Sequence, residues 1–83
     1  MVGRYRKKPV VIEAAQWTGG NVIEIYDFIG SKEIPIKGNR IIIPILEGNH
    51  LARKGDFIIK GVAGEFYSCK PAIFNTTYEK VIL

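Results

Sequence analysis

The alternation of apolar and polar side chains is most regular between residues 54 and 71, where it predicts a β-hairpin. Two runs rich in aromatic and β-branched residues flank a glycine-bounded turn. With Ala63-Gly64 as a two-residue turn, Lys60 faces Tyr67 across the strands. The predicted core face then carries Phe57, Ile59 and Phe66. Alanine is unfavourable where such a turn needs positive φ, so a looser loop over residues 61–64 is the alternative. That loop would move the side chains of one strand to the opposite face of the hairpin.

The opposite face of this hairpin would present a cation, a phenol and a thiol together. Its predicted members are Asp56, Ile58, Lys60, Tyr67 and Cys69. Groups of this kind suit an anionic ligand with a ring that can stack, such as a nucleotide. The candidate ligand-binding residues are therefore Lys60, Tyr67, Lys70 and Trp17. Ordinary cross-strand pairing of an aromatic residue with a lysine is the structural alternative.

Further strands are predicted on both sides of the hairpin. Residues 10–17 alternate so that Val10, Ile12 and Ala14 face the interior, while Trp17 covers a core edge or lines a ligand pocket. Short strands are predicted at 34–37 and 50–53, a longer one at 40–47, and a closing strand at 78–83, with turns at Gly38-Asn39 and Gly48-Asn49. Residues 72–77 are predicted to form one helical turn or a loop that inserts Phe74 into the core.

One helix is predicted between the first two strands. Asn21 followed by Glu24 has the spacing of a helix N-cap and its third residue, and Gly30 suits the helix end. The apolar positions between them form one stripe at Val22, Ile25, Tyr26 and Ile29. The sequence thus predicts a single α+β domain over residues 1–83: a small, mostly antiparallel, barrel-like or rolled sheet of five to six strands with one covering helix.

The length of the chain limits the size of its core. A domain of 83 residues would bury roughly 60 to 65% of its unfolded surface, so additional burial in a homo-oligomer is expected to help. No apolar run approaches the ~20 residues of a membrane helix, and no signal peptide is predicted. A single cysteine excludes an internal disulfide, as expected of a protein in a reducing cytoplasm.

Basic residues cluster near the N-terminus. The chain has a net charge of +4, and residues 4–8 contain four of its twelve lysines and arginines. Tyr5 among them can stack on a base while the cations contact phosphates, so the candidate nucleic-acid-binding residues are Arg4, Tyr5, Arg6, Lys7 and Lys8. The alternative is a solvated strand edge that is protected by its charge.

Catalytic and metal-binding motifs are not found in the sequence. His50 is the one histidine and Cys69 the one cysteine, so they cannot complete a conventional zinc site. A nucleophile pair of Cys69 and His50 is the remaining catalytic hypothesis, but a strand cysteine is more often a small buried apolar residue. We therefore predict no catalytic residue, no metal ligand and no cofactor.

Much of the chain resembles a group of small bacteriophage and prophage proteins. The matching segments are 4–14 (RYRKKPVVIEA), 16–19 (QWTG), 46–48 (LEG), 54–62 (KGDFIIKGV) and 64–71 (GEFYSCKP), with Phe74, Tyr78 and Glu79. Ser68 departs from the pattern, which has proline at this position. The resemblance implies a phage product that acts in the cytoplasm of a bacterial host, and it carries over no catalytic residue.

Three functions are compatible with these features. The first is a non-enzymatic protein that binds a nucleotide-like anion or a host protein, sequestering a signal or blocking host defence. The second is a nucleic-acid-binding accessory protein that uses residues 4–8. The third, and least favoured, is a small hydrolase or transferase that uses Cys69 or His50.

Overall fold

A computed structural model describes residues 1–31, 34–45 and 48–82. Within these residues the chain forms six strands and two helices in the order β1 (Glu13–Gln16), α1 (Val22–Ile29), β2 (Ile36–Lys37), β3 (Arg40–Ile45), β4 (Gly48–Arg53), β5 (Phe57–Lys60), β6 (Phe66–Cys69) and α2 (Pro71–Thr77). The strands form two antiparallel sheets of three, in the orders β1-β5-β6 and β2-β3-β4. The predicted α+β class is confirmed, but the predicted single barrel-like or rolled sheet is wrong because the six described strands are divided between two sheets.

Consecutive strands β4 and β5 lie in different sheets because the chain turns sharply between them. The turn from Arg53 to Asp56 is closed by the Asp56 N–H, which donates to the Arg53 carbonyl at 2.9 Å, and Gly55 supplies a positive φ of 98°. The backbone of Trp17 forms two hydrogen bonds with the residues just before β5. The Trp17 backbone N–H donates to the Asp56 carbonyl at 2.8 Å, and the Trp17 carbonyl accepts the Gly55 N–H at 2.7 Å. These bonds direct β5 onto β1 instead of β4.

The core lies between the two sheets and α1. Its buried side chains are Trp17, Ile25, Ile34, Ile41, Ile43, Ala52 and Ile58. β1 turns its Ala15 side toward this core, whereas Val10 and Ala14 are exposed, so the predicted inner face of the first strand is wrong. The reason is Trp17, two residues after Ala15: burying its large side chain determines which face of the strand points inward.

The hairpin of β5 and β6 has the looser of the two predicted loops. Lys60 pairs with Phe66 and Ile59 with Tyr67, so Lys60 and Tyr67 lie on opposite faces and the predicted pairing of these two residues is wrong. The loop is closed by the Gly61 N–H, which donates to the Glu65 carbonyl at 2.8 Å. Every positive φ among the described residues belongs to a glycine, and this loop places the positive φ at Gly64 and none at Ala63.

The change of register also redistributes the apolar side chains of the hairpin. Ile58 and Phe66 pack with the main core, while Phe57 packs against α2 on the other face, where Ile59 is also buried. The predicted core face of Phe57, Ile59 and Phe66 therefore does not exist as one surface. This sheet instead has apolar side chains on both of its faces, which we call the core face and the outer face.

Helix α1 begins and ends where the sequence predicts. Gly30 adopts a left-handed conformation with φ 81°, and its N–H donates to the Tyr26 carbonyl at 2.8 Å. Asn21 precedes the helix but caps no helix N–H with its side chain. The Asn21 carboxamide accepts the Thr18 N–H and donates to the Gln16 carbonyl, so it organises the loop before the helix instead.

The C-terminal part of the chain differs most from the prediction. Residues 71–77 form helix α2, longer than the single turn expected, with Pro71 in its first turn. Phe74 is inserted as predicted, but into the outer face of the hairpin. The predicted strand at 78–83 is wrong for the described residues 78–82, because the Tyr78 N–H donates to the Phe74 carbonyl and keeps the chain at the helix end.

The remaining turns are partly as predicted. Gly38-Asn39 joins β2 to β3, since Lys37 pairs with Arg40. The predicted turn at Gly48-Asn49 is wrong because both residues belong to β4, in which Gly48 pairs with Ile45. The last two residues of the predicted 40–47 strand lie outside the described residues.

Candidate functional site

A groove of about 520 Å³ lies on the outer face of the hairpin, and we call it the tyrosine groove. It is bounded by the N-terminal arm (residues 1–12), the loop between β5 and β6, and the end of α2. Its lining residues are Lys7, Lys8, Pro9, Val10, Ile12, Gly61, Val62, Glu65, Tyr67, Thr77 and Tyr78. The groove thus combines two cations and two phenol rings with an apolar wall.

The two tyrosines of this groove interact with each other through their hydroxyl groups. A hydrogen bond with Tyr78, reinforced by partial burial, raises the pKa of Tyr67 from 10.0 to about 12. The Tyr78 ring stacks on Phe74 with ring centroids 5.0 Å apart, and Lys7 Nζ lies 5.9 Å from the Tyr78 centroid. Tyr78 is therefore held by the helix on one side and faces a cation on the other.

Positive charge exceeds negative charge along the groove. Lys7 and Lys8 are exposed, while the one described acid of the lining, Glu65, is turned back onto its own loop. Its Oε2 accepts the Ala63 N–H at 3.1 Å. A Cβ at position 61 would collide with this carboxylate, so Gly61 is what allows Glu65 to lie along the loop. The lysines are left as the charges that a ligand would meet.

The four residues predicted to bind a ligand are not brought together. Tyr67 lines the tyrosine groove, but Trp17 is fully buried and its indole N–H donates to the Asn39 carbonyl at 2.8 Å. Lys60 is exposed outside the groove, and Lys70 lines a different one. The predicted shared site is therefore not formed, because the hairpin register separates Lys60 from Tyr67.

The predicted nucleic-acid-binding residues are all exposed on the N-terminal arm. Lys7 and Lys8 line the tyrosine groove together with Tyr67. Members of the predicted nucleic-acid-binding and ligand-binding sets therefore share one groove. Arg4, Tyr5 and Arg6 precede them, and Tyr5 is 93% exposed. The sequence pattern does not indicate Tyr78 as a site residue, because residues 78–83 are predicted to form a strand. The spacing of four residues between Phe74 and Tyr78 is the helical signal that could have found it.

A second groove, of about 710 Å³, runs along β4, and we call it the β4 groove. It is lined by Asn49, His50, Leu51, Arg53, Asp56, Ser68, Cys69, Lys70 and Ile73. His50 and Cys69 share this groove, but the Cys69 thiol donates to the Lys70 carbonyl at 3.6 Å, a contact that does not activate a nucleophile. In residues 1–31, 34–45 and 48–82, no cluster of three or more potential ligands is placed to hold a metal ion.

Among the described residues, no helix combines the length and the apolar character that crossing a bilayer requires. No protein-family model, curated protein or solved structure matches the chain. Its function is therefore inferred from the chemistry of its two grooves.

Proposed function

We propose that this protein is a non-enzymatic binding protein that holds a phosphate-bearing aromatic ligand of the nucleotide type in the tyrosine groove. One observation carries the proposal: Tyr67, Tyr78, Lys7 and Lys8 line a single groove of about 520 Å³. Small-ligand sites usually measure about 300–1,000 Å³ and combine an apolar wall with a few polar groups. The tyrosine groove has this size and composition.

Each component of the groove suits one part of a nucleotide. Phenol rings and the apolar residues Val10 and Val62 offer surfaces for a base, on which stacking contributes about 1–3 kcal/mol. Lysine ammonium groups on flexible stems can follow the phosphates of ligands that differ in phosphate number. The Tyr67 O–H is already engaged with Tyr78, a bond that raises the pKa of Tyr67 to about 12, so the Tyr78 O–H is the phenol group left to donate a hydrogen bond to a phosphate oxygen.

The groove supports binding more than chemistry. None of its described lining residues is a histidine or cysteine, and Glu65 is bonded to the Ala63 N–H. A protein with this groove would lower the free concentration of its ligand. Together with the resemblance to phage proteins, this favours sequestration of a nucleotide signal in the host cytoplasm. The small core also favours a homo-oligomer, which sedimentation would measure.

A thermal-shift panel of mononucleotides, dinucleotides and cyclic dinucleotides tests the proposal. At a ligand concentration of 100 times Kd, binding stabilises the folded state by about 2.7 kcal/mol, which raises the Tm by roughly 10 to 20 °C. Tyr78→Ala and the double variant Lys7→Ala with Lys8→Ala should abolish this shift. Lys60→Ala is the matched control because it removes an exposed lysine outside the groove.

Two results would contradict the proposal. One is the absence of a shift with every nucleotide. The other is a shift that Lys60→Ala removes while the groove variants retain it, because the ligand would then lie on the other face of the hairpin.

Single-stranded nucleic acid is a second candidate, and the exposure of the N-terminal arm favours it. Arg4, Tyr5 and Arg6 extend the cations of the tyrosine groove into a basic segment that can follow a longer backbone. If four cations each contact a phosphate, the logarithm of the binding constant should fall with a slope of about −2.8 against the logarithm of salt concentration. Replacing Arg4 and Arg6 with alanine should weaken oligonucleotide binding and leave mononucleotide binding unchanged. Salt-independent binding would exclude this candidate.

A further inference from the structure

Strand β4 is the last strand of its sheet, and part of its backbone is unpaired. Within the described part of the chain, β4 pairs on one side, with β3. At its end, the Arg53 N–H donates to Asp56 Oδ2 at 3.0 Å and the Arg53 carbonyl accepts the Asp56 N–H. Arg53 therefore turns its backbone groups away from β3. Since these directions alternate along an antiparallel strand, Leu51 and Asn49 also present N–H and C=O groups at the open edge.

The β4 groove beside this edge contains apolar and basic side chains together with Asn49, Ser68 and Cys69. Leu51 and Ile73 are 37% and 58% exposed, and both line the β4 groove. The basic side chains of the same groove are His50, Arg53 and Lys70. Asp56 is the one acid among the described lining residues, and its buried carboxylate already accepts the Arg53 N–H. The β4 groove therefore offers apolar surface and positive charge to a segment that binds there.

We propose that the β4 edge binds an extended acidic segment of a partner protein as an added β-strand. The main chain of such a segment would pair with the free groups of Asn49 and Leu51, which is the usual source of affinity when a peptide extends a sheet. Its apolar side chains would cover Leu51 and Ile73, and its carboxylates would face Arg53 and Lys70. This surface is separate from the tyrosine groove and does not depend on a nucleotide ligand.

Charge selects an acidic partner over a second copy of this chain. Two β4 edges paired with each other would bring the basic side chains of both copies together, and like charges across paired strands are destabilising. Each copy also has a net charge of +4. An acidic segment gains from the same charges that oppose self-pairing.

The test uses a fluorescein-labelled peptide of alternating glutamate and valine, about seven residues long, which matches the roughly 20 Å span of a six-residue strand. Binding to the full chain is followed by fluorescence anisotropy. Lys70→Glu should lower the affinity for the peptide by at least about fivefold. Lys37→Glu, which changes an exposed lysine on the opposite edge strand β2, should leave the affinity unchanged. Peptides with lysine in place of glutamate, or with a central proline, should bind more weakly.

Amide hydrogen exchange reports the added strand directly. Saturating peptide should slow exchange of the Asn49 and Leu51 amides by about tenfold or more. Leu51→Pro removes one outward N–H and should abolish binding. Lys70→Glu lies outside the strand and provides the test if the proline variant does not fold.

Three outcomes would overturn the inference. They are no binding up to millimolar peptide, binding that leaves both amides unprotected, and amides already protected by self-association without peptide.

Discussion

Phe74 is the residue through which α2 is attached to the rest of the protein, so its truncation has a calculable cost. None of the seven residues of α2 is fully buried. The Phe74 ring lies parallel to Phe57, with centroids 3.8 Å apart and an interplanar angle of 6°, and it also stacks on Tyr78. Removing this ring would release both the helix and the Tyr78 side of the tyrosine groove.

The magnitude follows from the two ring contacts and the burial of the side chain. An aromatic pair contributes about 0.5–1.5 kcal/mol beyond its buried area, and complete burial of a phenylalanine about 1.5–3 kcal/mol. Phe74 is partly buried, so Phe74→Ala should lower the free energy of unfolding by about 2–3 kcal/mol. Phe74→Leu keeps apolar volume but loses both ring contacts, and it should cost about 1–2 kcal/mol. For a domain of this size the alanine variant should lower the Tm by roughly 10 to 20 °C.

Urea unfolding followed by far-UV circular dichroism and by Trp17 fluorescence measures these differences. Ile73→Ala is the control because its side chain, on the same helix, is largely exposed, and we expect a change below about 0.5 kcal/mol. A Phe74→Ala variant within about 0.5 kcal/mol of the wild type, or one no less stable than Ile73→Ala, would refute the attachment of α2 through this stack.

Three further measurements test other parts of the structure. The folded protein holds the Tyr67 proton to a pKa of about 12 against 10.0 in the unfolded chain, so the stability from this group is complete below pH 10 and is lost as pH rises from 10 to 12. Urea unfolding across this range should show a weaker pH dependence for Tyr67→Phe, and equal slopes would contradict the assignment. Trp17→Phe should lower the free energy of unfolding, measured by circular dichroism, by about 2 kcal/mol because it loses buried volume and the bond to the Asn39 carbonyl; Tyr5→Phe on the exposed arm should have no effect. Gly30→Ala should cost about 1 kcal/mol through its positive φ of 81°, whereas Gly20→Ala, with free space and no positive φ, should be neutral or slightly stabilising in thermal unfolding.

Elements with local signals could be predicted from the sequence. Helix α1 is specified by its apolar stripe and by Gly30, and the turn between β2 and β3 by Gly38-Asn39. These features depend on residues within a few positions of one another. Sequence patterns of this kind are informative because the backbone conformation that they favour is the one that the fold retains.

Features that depend on distant residues were less predictable. The inner face of β1 follows from the burial of the Trp17 side chain in a core to which distant strands contribute Ile41 and Ile58. Residues 78–82 have a strand-like composition, yet Tyr78 is held by Phe74 at the end of α2. The composition of a short segment does not determine whether it pairs with a strand or packs at the end of a helix, because that depends on its tertiary neighbours.

The register of one hairpin decides which residues can act together in recognition. A two-residue turn would have placed Lys60 beside Tyr67, but the longer loop, with its positive φ at Gly64, places Lys60 opposite Phe66 and across from Glu13 on the other face. On the outer face, therefore, neither β5 nor β6 places a lysine or arginine next to Tyr67. Lys7 and Lys8 supply that charge from the N-terminal arm. Residues 1–12 of the arm belong to no helix or strand, so any part of the arm that a ligand orders reduces the affinity that the same contacts would give on a rigid scaffold.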